Sequence, residues 1–209
     1  FSEHSEINLG GTAKIVNTDY NILFPQFITT FGDSLPVSNF TSGNNYYKYA
    51  AYINYNRLLF SKLNLNFGLR GDIFTDINNQ FHVSPRLSLS YKLTEHSAFS
   101  FSTGIYHQSP SYIWLEAFQS NKNLKMIKVN QYIAGIEHKF ASDALVKLEG
   151  FYKDYSNYPT SIVRPYLILS NTGAGFEGGE SNFSSFGLEP LLDDGYGKTR
   201  GIEFSFQKK

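Results

Sequence analysis

The chain has 209 residues, enough for one domain with a sizeable core, and its 18 basic and 18 acidic side chains cancel to a formal charge of zero. That balance provides no basic stripe for a nucleic-acid backbone, and the absence of cysteine excludes disulfides, thiolate metal sites and a catalytic thiol. No run approaches the roughly 18 apolar residues of a membrane-spanning helix. A β-barrel stays open, because strands that alternate lipid-facing and lumen-facing residues average to a near-neutral hydropathy, here −0.29.

Period-2 alternation runs through the chain. Near the start, Ile7, Leu9, Ala13 and Ile15 oppose Glu6, Asn8, Thr12 and Lys14, and Tyr47, Tyr49, Ala51, Ile53 and Tyr55 oppose Lys48, Asn54 and Asn56. Leu63, Leu65, Phe67 and Leu69 interleave with Asn64, Asn66, Gly68 and Arg70 in the clearest instance. Leu87, Leu89, Tyr91 and Leu93 follow, then Phe99, Phe101 and Ile105. Tyr132, Ala134, Ile136, His138 and Phe140 continue the code, although Ile133 interrupts its polar face. Val146, Leu148 and Tyr152 come next, and Ile202, Phe204 and Phe206 close the series. About eight antiparallel strands result, several near the 9–11 residues that cross a tilted bilayer path.

This pattern alone also fits a soluble antiparallel sheet packed on a second one. Connection lengths and aromatic placement favour the membrane. Segments 59–62, 94–97 and 141–143 read as tight turns, whereas 16–46, 74–81, 110–127 and 157–198 read as loops, the sorting expected of periplasmic turns and extracellular loops. Tyr47, Tyr49, Tyr132 and Tyr152 then fall at the outer ends of the apolar face. Tyr91, Phe140 and Phe206 fall at the turn ends, and Leu65, Leu89, Ile136 and Leu148 lie between. Two aromatic belts around an aliphatic band are the mark of a membrane-embedded barrel. The fold expected is an all-β, antiparallel up-and-down transmembrane β-barrel segment.

The run Ser84-Pro85-Arg86-Leu87-Ser88-Leu89-Ser90-Tyr91-Lys92-Leu93, followed by Thr103-Gly104-Ile105-Tyr106-His107-Gln108-Ser109-Pro110, resembles consecutive barrel strands of TonB-dependent outer-membrane receptors of the Bacteroidetes type. So do Gly135-Ile136-Glu137-His138, Glu149-Gly150-Phe151-Tyr152-Lys153-Asp154-Tyr155 and Gly197-Lys198-Thr199-Arg200-Gly201-Ile202-Glu203-Phe204. The resemblance implies a barrel of about 22 strands around an N-terminal plug, energised through the TonB complex and importing a large scarce nutrient. About eight strands cannot close such a barrel, so residues 1–209 are expected to be part of one barrel domain whose plug and closing strands lie outside this sequence. A porin-like or adhesin-like barrel is the second reading, and a soluble β-sandwich binding module the third. Enzymatic activity ranks last.

Neither a metal nor a cofactor is expected. His4, His82, His96, His107 and His138 have no metal-ligand spacing, the glycine-rich stretch 173–179 lacks a phosphate-loop context, and Asp193-Asp194-Gly195 reads as a turn. The polar faces place Arg70, Asp72, Arg86, Glu137, Lys147, Glu149 and Glu203 as lumen lining. Ligand contacts are expected from the outer loops, from Tyr112, Trp114 and Phe118 and from Tyr158, Arg164, Tyr166 and Phe176, with packing among the loops as the competing role. Outer-membrane lipid, the plug and the TonB complex are the partners implied.

Overall fold

The computed structural model describes residues 5–28, 32, 34–141, 144–164, 168–169 and 188–208. Its main feature is one eight-stranded antiparallel sheet. In chain order the strands are β1 (Ser5–Phe24), β2 (Phe27–Ile28), β3 (Ser34–Leu35), β4 (Ser38–Leu59), β5 (Leu63–Phe74), β6 (Phe81–Lys92), β7 (Ser97–Gln108), β8 (Ile127–Ala141), β9 (Ala144–Ser161) and β10 (Leu191–Lys208). Strands β2 and β3 form a separate two-residue ladder, and the large sheet has the order β1-β4-β5-β6-β7-β8-β9-β10, a meander without crossovers. One helix, α1 (Tyr112–Ala117), and a 3₁₀ turn (Gln119–Asn123) lie between β7 and β8.

The register carries the apolar code across the whole sheet. Leu65 pairs with Leu89, Leu89 with Phe101, Phe101 with Ala134, Ala134 with Gly150 and Gly150 with Ile202. One step toward the turns, Leu63, Tyr91, Phe99, Ile136, Leu148 and Phe204 form the next row. Paired residues share a face, and a slip of one would mix the two sets. These rows are not covered: Ile136, Leu148, Phe204 and Ile202 are 46%, 46%, 69% and 79% exposed. A soluble sandwich would bury them under a second sheet. A bilayer requires them bare.

Depth can be read along β8. Tyr132 and Phe140 stand eight positions apart on the apolar face. At about 3.4 Å per residue and a tilt of roughly 40°, that is about 21 Å along the membrane normal, close to the ~25 Å apolar band of outer-membrane barrels. In β4 the corresponding crossing is Tyr49 to Leu59.

Two of the long connections are shorter than the sequence implies. The segment 16–46, expected as a loop, is paired out to Phe24 and Ser38, and the segment 157–198 is paired up to Ser161 and from Leu191. Both hairpins continue as ladders beyond the span of the apolar band, and in β1 and β4 the inner face of the ladder packs on the buried cluster while the other is exposed. At the opposite end the connections are tight. The β4–β5 turn closes through Phe60 and Ser61, at φ of 51° and 56°, and the Lys62 N–H donates to the Leu59 carbonyl at 3.1 Å. Two consecutive left-handed residues are the geometry of a type I′ turn, whose twist matches the strands it joins.

Candidate ligand surface at the loop end of the barrel

Most of the buried hydrophobic residues lie above the membrane and not within its span. Tyr46, Phe74, Ile77, Ile113, Trp114 and Leu115 form one cluster with Leu124, Met126, Leu169 and Leu191, and Val16, Tyr20, Ile22, Phe40, Tyr112 and Leu188 pack against it. Val16 pairs with Tyr46, Ile22 with Phe40 and Lys48 with Phe74, all on the face that carries Lys14 and Asn54 lower down. The inner face thus changes from polar to apolar at the outer rim, and the β7–β8 connection folds inward onto it.

Helix α1 is built for that contact. Pro110 fixes the approach, the N–H groups of Trp114 and Leu115 donate to the Ser111 carbonyl at 3.1 and 3.3 Å, and Ile113, Trp114 and Leu115 are all buried. Beside them, Glu116 Oε1 accepts from Thr18 Oγ1 at 2.5 Å and from the Tyr46 hydroxyl at 2.8 Å. Burial, with the neighbouring Glu116 carboxylate, pushes the Tyr46 hydroxyl well above its ordinary pKa, so it remains a donor. Lys48 Nζ donates to Ser109 Oγ at 2.6 Å and lies 4.5 and 4.6 Å from the ring centroids of Phe74 and Tyr112, a cation held between two aromatic faces.

Asn121 ties this assembly to the last strand. It is fully buried. Its Nδ2 donates to the carbonyls of Trp114 at 2.7 Å and Glu189 at 3.0 Å, and its Oδ1 accepts from the Leu191 N–H at 2.9 Å. Arg164 and Glu189 form an ion pair with side chains 12% and 7% exposed, and the Arg164 N–H donates to Ser161 Oγ at 2.9 Å.

The proposed loop contacts therefore divide. Tyr112 is half-buried, and Trp114, read as an exposed ring free to stack on a ligand, is only 8% exposed because it fills the cluster. Phe118 is 41% exposed. Tyr158 stacks near Tyr155 at 5.7 Å between centroids, and Arg164 is engaged by Glu189. Tyr166 and Phe176 lie outside the described residues. Tyr112 and Trp114 are packed within the loop cluster.

Farther down the inner wall, Arg70, Asp72, Arg86, Glu137, Lys147, Glu149 and Glu203 all sit on the polar face. Arg70 pairs in register with Tyr52 and Ser84, Arg86 with Gly68 and Gly104, Glu137 with Lys147, and Glu149 with Glu203. Arg70 and Asp72 bond at 2.7 Å. Arg86 lies over the Tyr106 ring at 4.5 Å, beside Gly104, where a Cβ would stand only 3.1 Å from the Arg86 Cγ. Lys147 pairs with Glu149. Near the rim, His107 Nδ1 contacts Ser84 Oγ at 3.0 Å, with the His82 ring 5.0 Å away. Among the described residues no three His, Asp or Glu side chains gather as a metal site.

Sorting these charges by depth gives a pattern. Lys14, Lys48, Arg70, Arg86 and Lys153 stand on the outer half of the inner wall, with Asp72 the opposing carboxylate among the described residues there. Glu137, Glu149 and Glu203 stand on the turn-side half, mixed with Lys92, Lys139 and Lys147. Between them runs a row of Asn56, Asn66, Ser88 and Ser102, to which β1 adds Glu6 opposite Asn56.

Sequence reasoning missed Tyr46, Glu116 and Asn121. A signal existed for the first. Val16, Tyr20, Ile22, Phe40, Tyr46 and Phe74 are large apolar residues on the polar parity, concentrated beside long connections.

A bare apolar band, two aromatic belts, a charged inner face and one-sided long connections define a segment of an outer-membrane transport barrel. The family profile described as "TonB dependent receptor-like, beta-barrel" matches residues 4–208, and the chain belongs to that family. Solved structures share the fold. A ferric enterobactin receptor, PfeA, superposes with a TM-score of 0.68 at 19% identity, over 96% of this chain and 30% of its own. The FrpB iron transporter from Neisseria meningitidis gives 0.64 at 11% identity, over 100% and 32%. The siderophore receptor PirA from Pseudomonas aeruginosa gives 0.58 at 18% identity, over 96% and 37%. The chain spans about a third of the length of these proteins. No curated protein sequence matches it.

Proposed function

We propose that this chain is a wall segment of an energy-coupled outer-membrane receptor that imports a large, scarce, anionic solute, with a metal chelate as the chemical class. The observation that carries the anionic reading is the charge sorting of the inner wall. Five cations against one carboxylate on the strands of the outer half, with Glu116 and Asp76 in the connections beside Tyr46 and Lys48, leave a net positive wall that raises the local concentration of an anion entering from outside. The Asn and Ser row below them offers hydrogen bonds and adds no cation that would hold an anion, Glu6 being its one charged member among the described residues. Structural relatives described as receptors for ferric enterobactin and siderophores, or as an iron transporter, support the same class.

In this reading the plug domain and the closing strands belong to the same polypeptide outside residues 1–209, the TonB complex supplies the energy through that plug, and outer-membrane lipid covers the apolar face. The experiment is uptake of a radiolabelled ferric chelate by cells carrying the full-length receptor, with and without a functional TonB complex. Uptake that requires both supports the proposal. Uptake indifferent to TonB would make the barrel a passive pore. A double Lys14→Gln, Lys153→Gln variant is expected to weaken binding of an anionic chelate by about tenfold at low ionic strength, with the gap narrowing as salt rises. Equal loss for a neutral chelate would mean the two lysines act through structure.

A further inference from the structure

The apolar face is not uniform. Where β7 to β10 meet, Ala134 and Gly150 stand side by side between the larger Phe101 and Ile202. The small pair leaves an indentation of about 720 Å³. Space at its floor is real: a Cβ built on Gly150 meets nothing nearer than the Gly201 carbonyl oxygen at 4.0 Å. Immediately toward the loops, the next row of the same face is Tyr132, Tyr152 and Arg200, and the row beyond it pairs Lys198 with Asp154 and Asp154 with Asn130, so that Lys198 faces a carboxylate while Arg200 faces a phenol. Arg200 is therefore an exposed cation at the outer belt, directly above an apolar hollow. The only other cation on that face between the belts, among the described residues, is Arg57, at the turn end.

We infer that the hollow between Phe101 and Ile202 is a seat for one outer-leaflet lipid, whose acyl chains fill the space over Ala134 and Gly150 while its phosphate lies against Arg200. Charge complementarity selects this occupant. A chain of the bilayer core has no use for a guanidinium at headgroup depth, and a lipid without a phosphate would gain nothing from it, whereas a phosphate above acyl chains, most of all one not offset by its own ammonium, matches both features. The paired phenols of Tyr132 and Tyr152, 6.5 Å apart between ring centroids, stand at the same level and can donate to headgroup oxygens. The inference rests on the outer-membrane setting and is independent of the cargo proposed above.

The test uses the full-length receptor, stripped of lipid in mild detergent and titrated with bisphosphorylated lipid A, its dephosphorylated form and phosphatidylethanolamine, with retained lipid read by native mass spectrometry. Wild type is expected to retain the bisphosphorylated lipid in preference to the other two. Arg200→Gln should lower that retention about fivefold, the worth of one basic side chain near an anionic headgroup. Gly150→Leu should remove the preference by filling the hollow, and Arg57→Gln should leave it unchanged. Equal retention of the phosphorylated and dephosphorylated lipids, or variants that behave as wild type, would overturn the inference. So would a receptor dimer that Gly150→Leu dissociates, since a second copy would then be the occupant. Normal ferric chelate uptake by both variants would separate failure at this seat from failure of the transport reading.

Discussion

Ile136→Arg is expected to cost about 2–4 kcal/mol of barrel stability, while Ser88→Arg, on the opposite face, is expected to cost less than about 1 kcal/mol. Ile136 lies four positions from Tyr132 and four from Phe140, at the centre of the apolar band, and it pairs with Phe99 and Leu148. An arginine there has no short path to either headgroup layer, so its guanidinium must drag water inward or distort the wall. Ser88 pairs with Asn66 and Ser102 on the inner wall, where a cation stays hydrated. Denaturant unfolding of the full-length receptor in lipid vesicles measures both. Equal costs for the two variants would show that the apolar face does not meet hydrocarbon, and the membrane reading would fall with that result.

The contrast between those two positions was legible because period-2 alternation is a local property. Leu63 to Arg70, or Tyr132 to Phe140, can be assigned to faces without knowledge of their neighbours, and pairing then only has to align rows that already exist. Ile133 interrupts its polar face in the sequence, and the structure supplies a reason: it pairs with Phe151, whose ring covers Gly201 so closely that a Cβ there would stand 2.7 Å from it. The small apolar patch on the inner wall is thus a three-strand arrangement that no single strand reveals.

Above the membrane the same code misleads. Val16 and Tyr46 are paired neighbours, yet the sequence around them, with Asn17, Asp19, Asn21 and Asn44, has the composition of loops. Those residues tolerate a ladder exposed to water on one face, and the apolar residues on the other face face an object contributed from elsewhere in the chain. That object is α1, some 66 residues beyond Tyr46 in sequence. The parity of Val16, Tyr20 and Ile22 marks the covered surface, but the partner that covers it leaves no trace at such separation. The bonds of Asn121 to Trp114, Glu189 and Leu191 are of the same kind, a single amide joining two connections and a strand.

Trp114→Ala is expected to loosen this cap by about 3–5 kcal/mol, the cost of emptying a large aromatic from a closed core. The loss should be local. The indole is 8% exposed among Ile113, Leu115 and Leu124, whereas the membrane-spanning rows do not touch it, so the barrel should stay folded as the connection between β7 and β8 opens. Hydrogen exchange on the full-length receptor would read this as faster exchange across α1 and the following 3₁₀ turn, with β5 to β9 unchanged below the outer belt. Phe118→Ala, at a ring 41% exposed, should alter exchange by less than about 0.5 kcal/mol. A ligand effect, if the loop contacts cargo, should then separate the two residues in the opposite sense: Phe118→Ala would weaken binding with the cap intact, and Trp114→Ala would weaken it only as far as the cap has opened. Slow exchange retained in Trp114→Ala would mean that Glu116, held by Thr18 and Tyr46, and Asn121 suffice to fix the connection. The inward fold would then depend on its polar ties more than on its core.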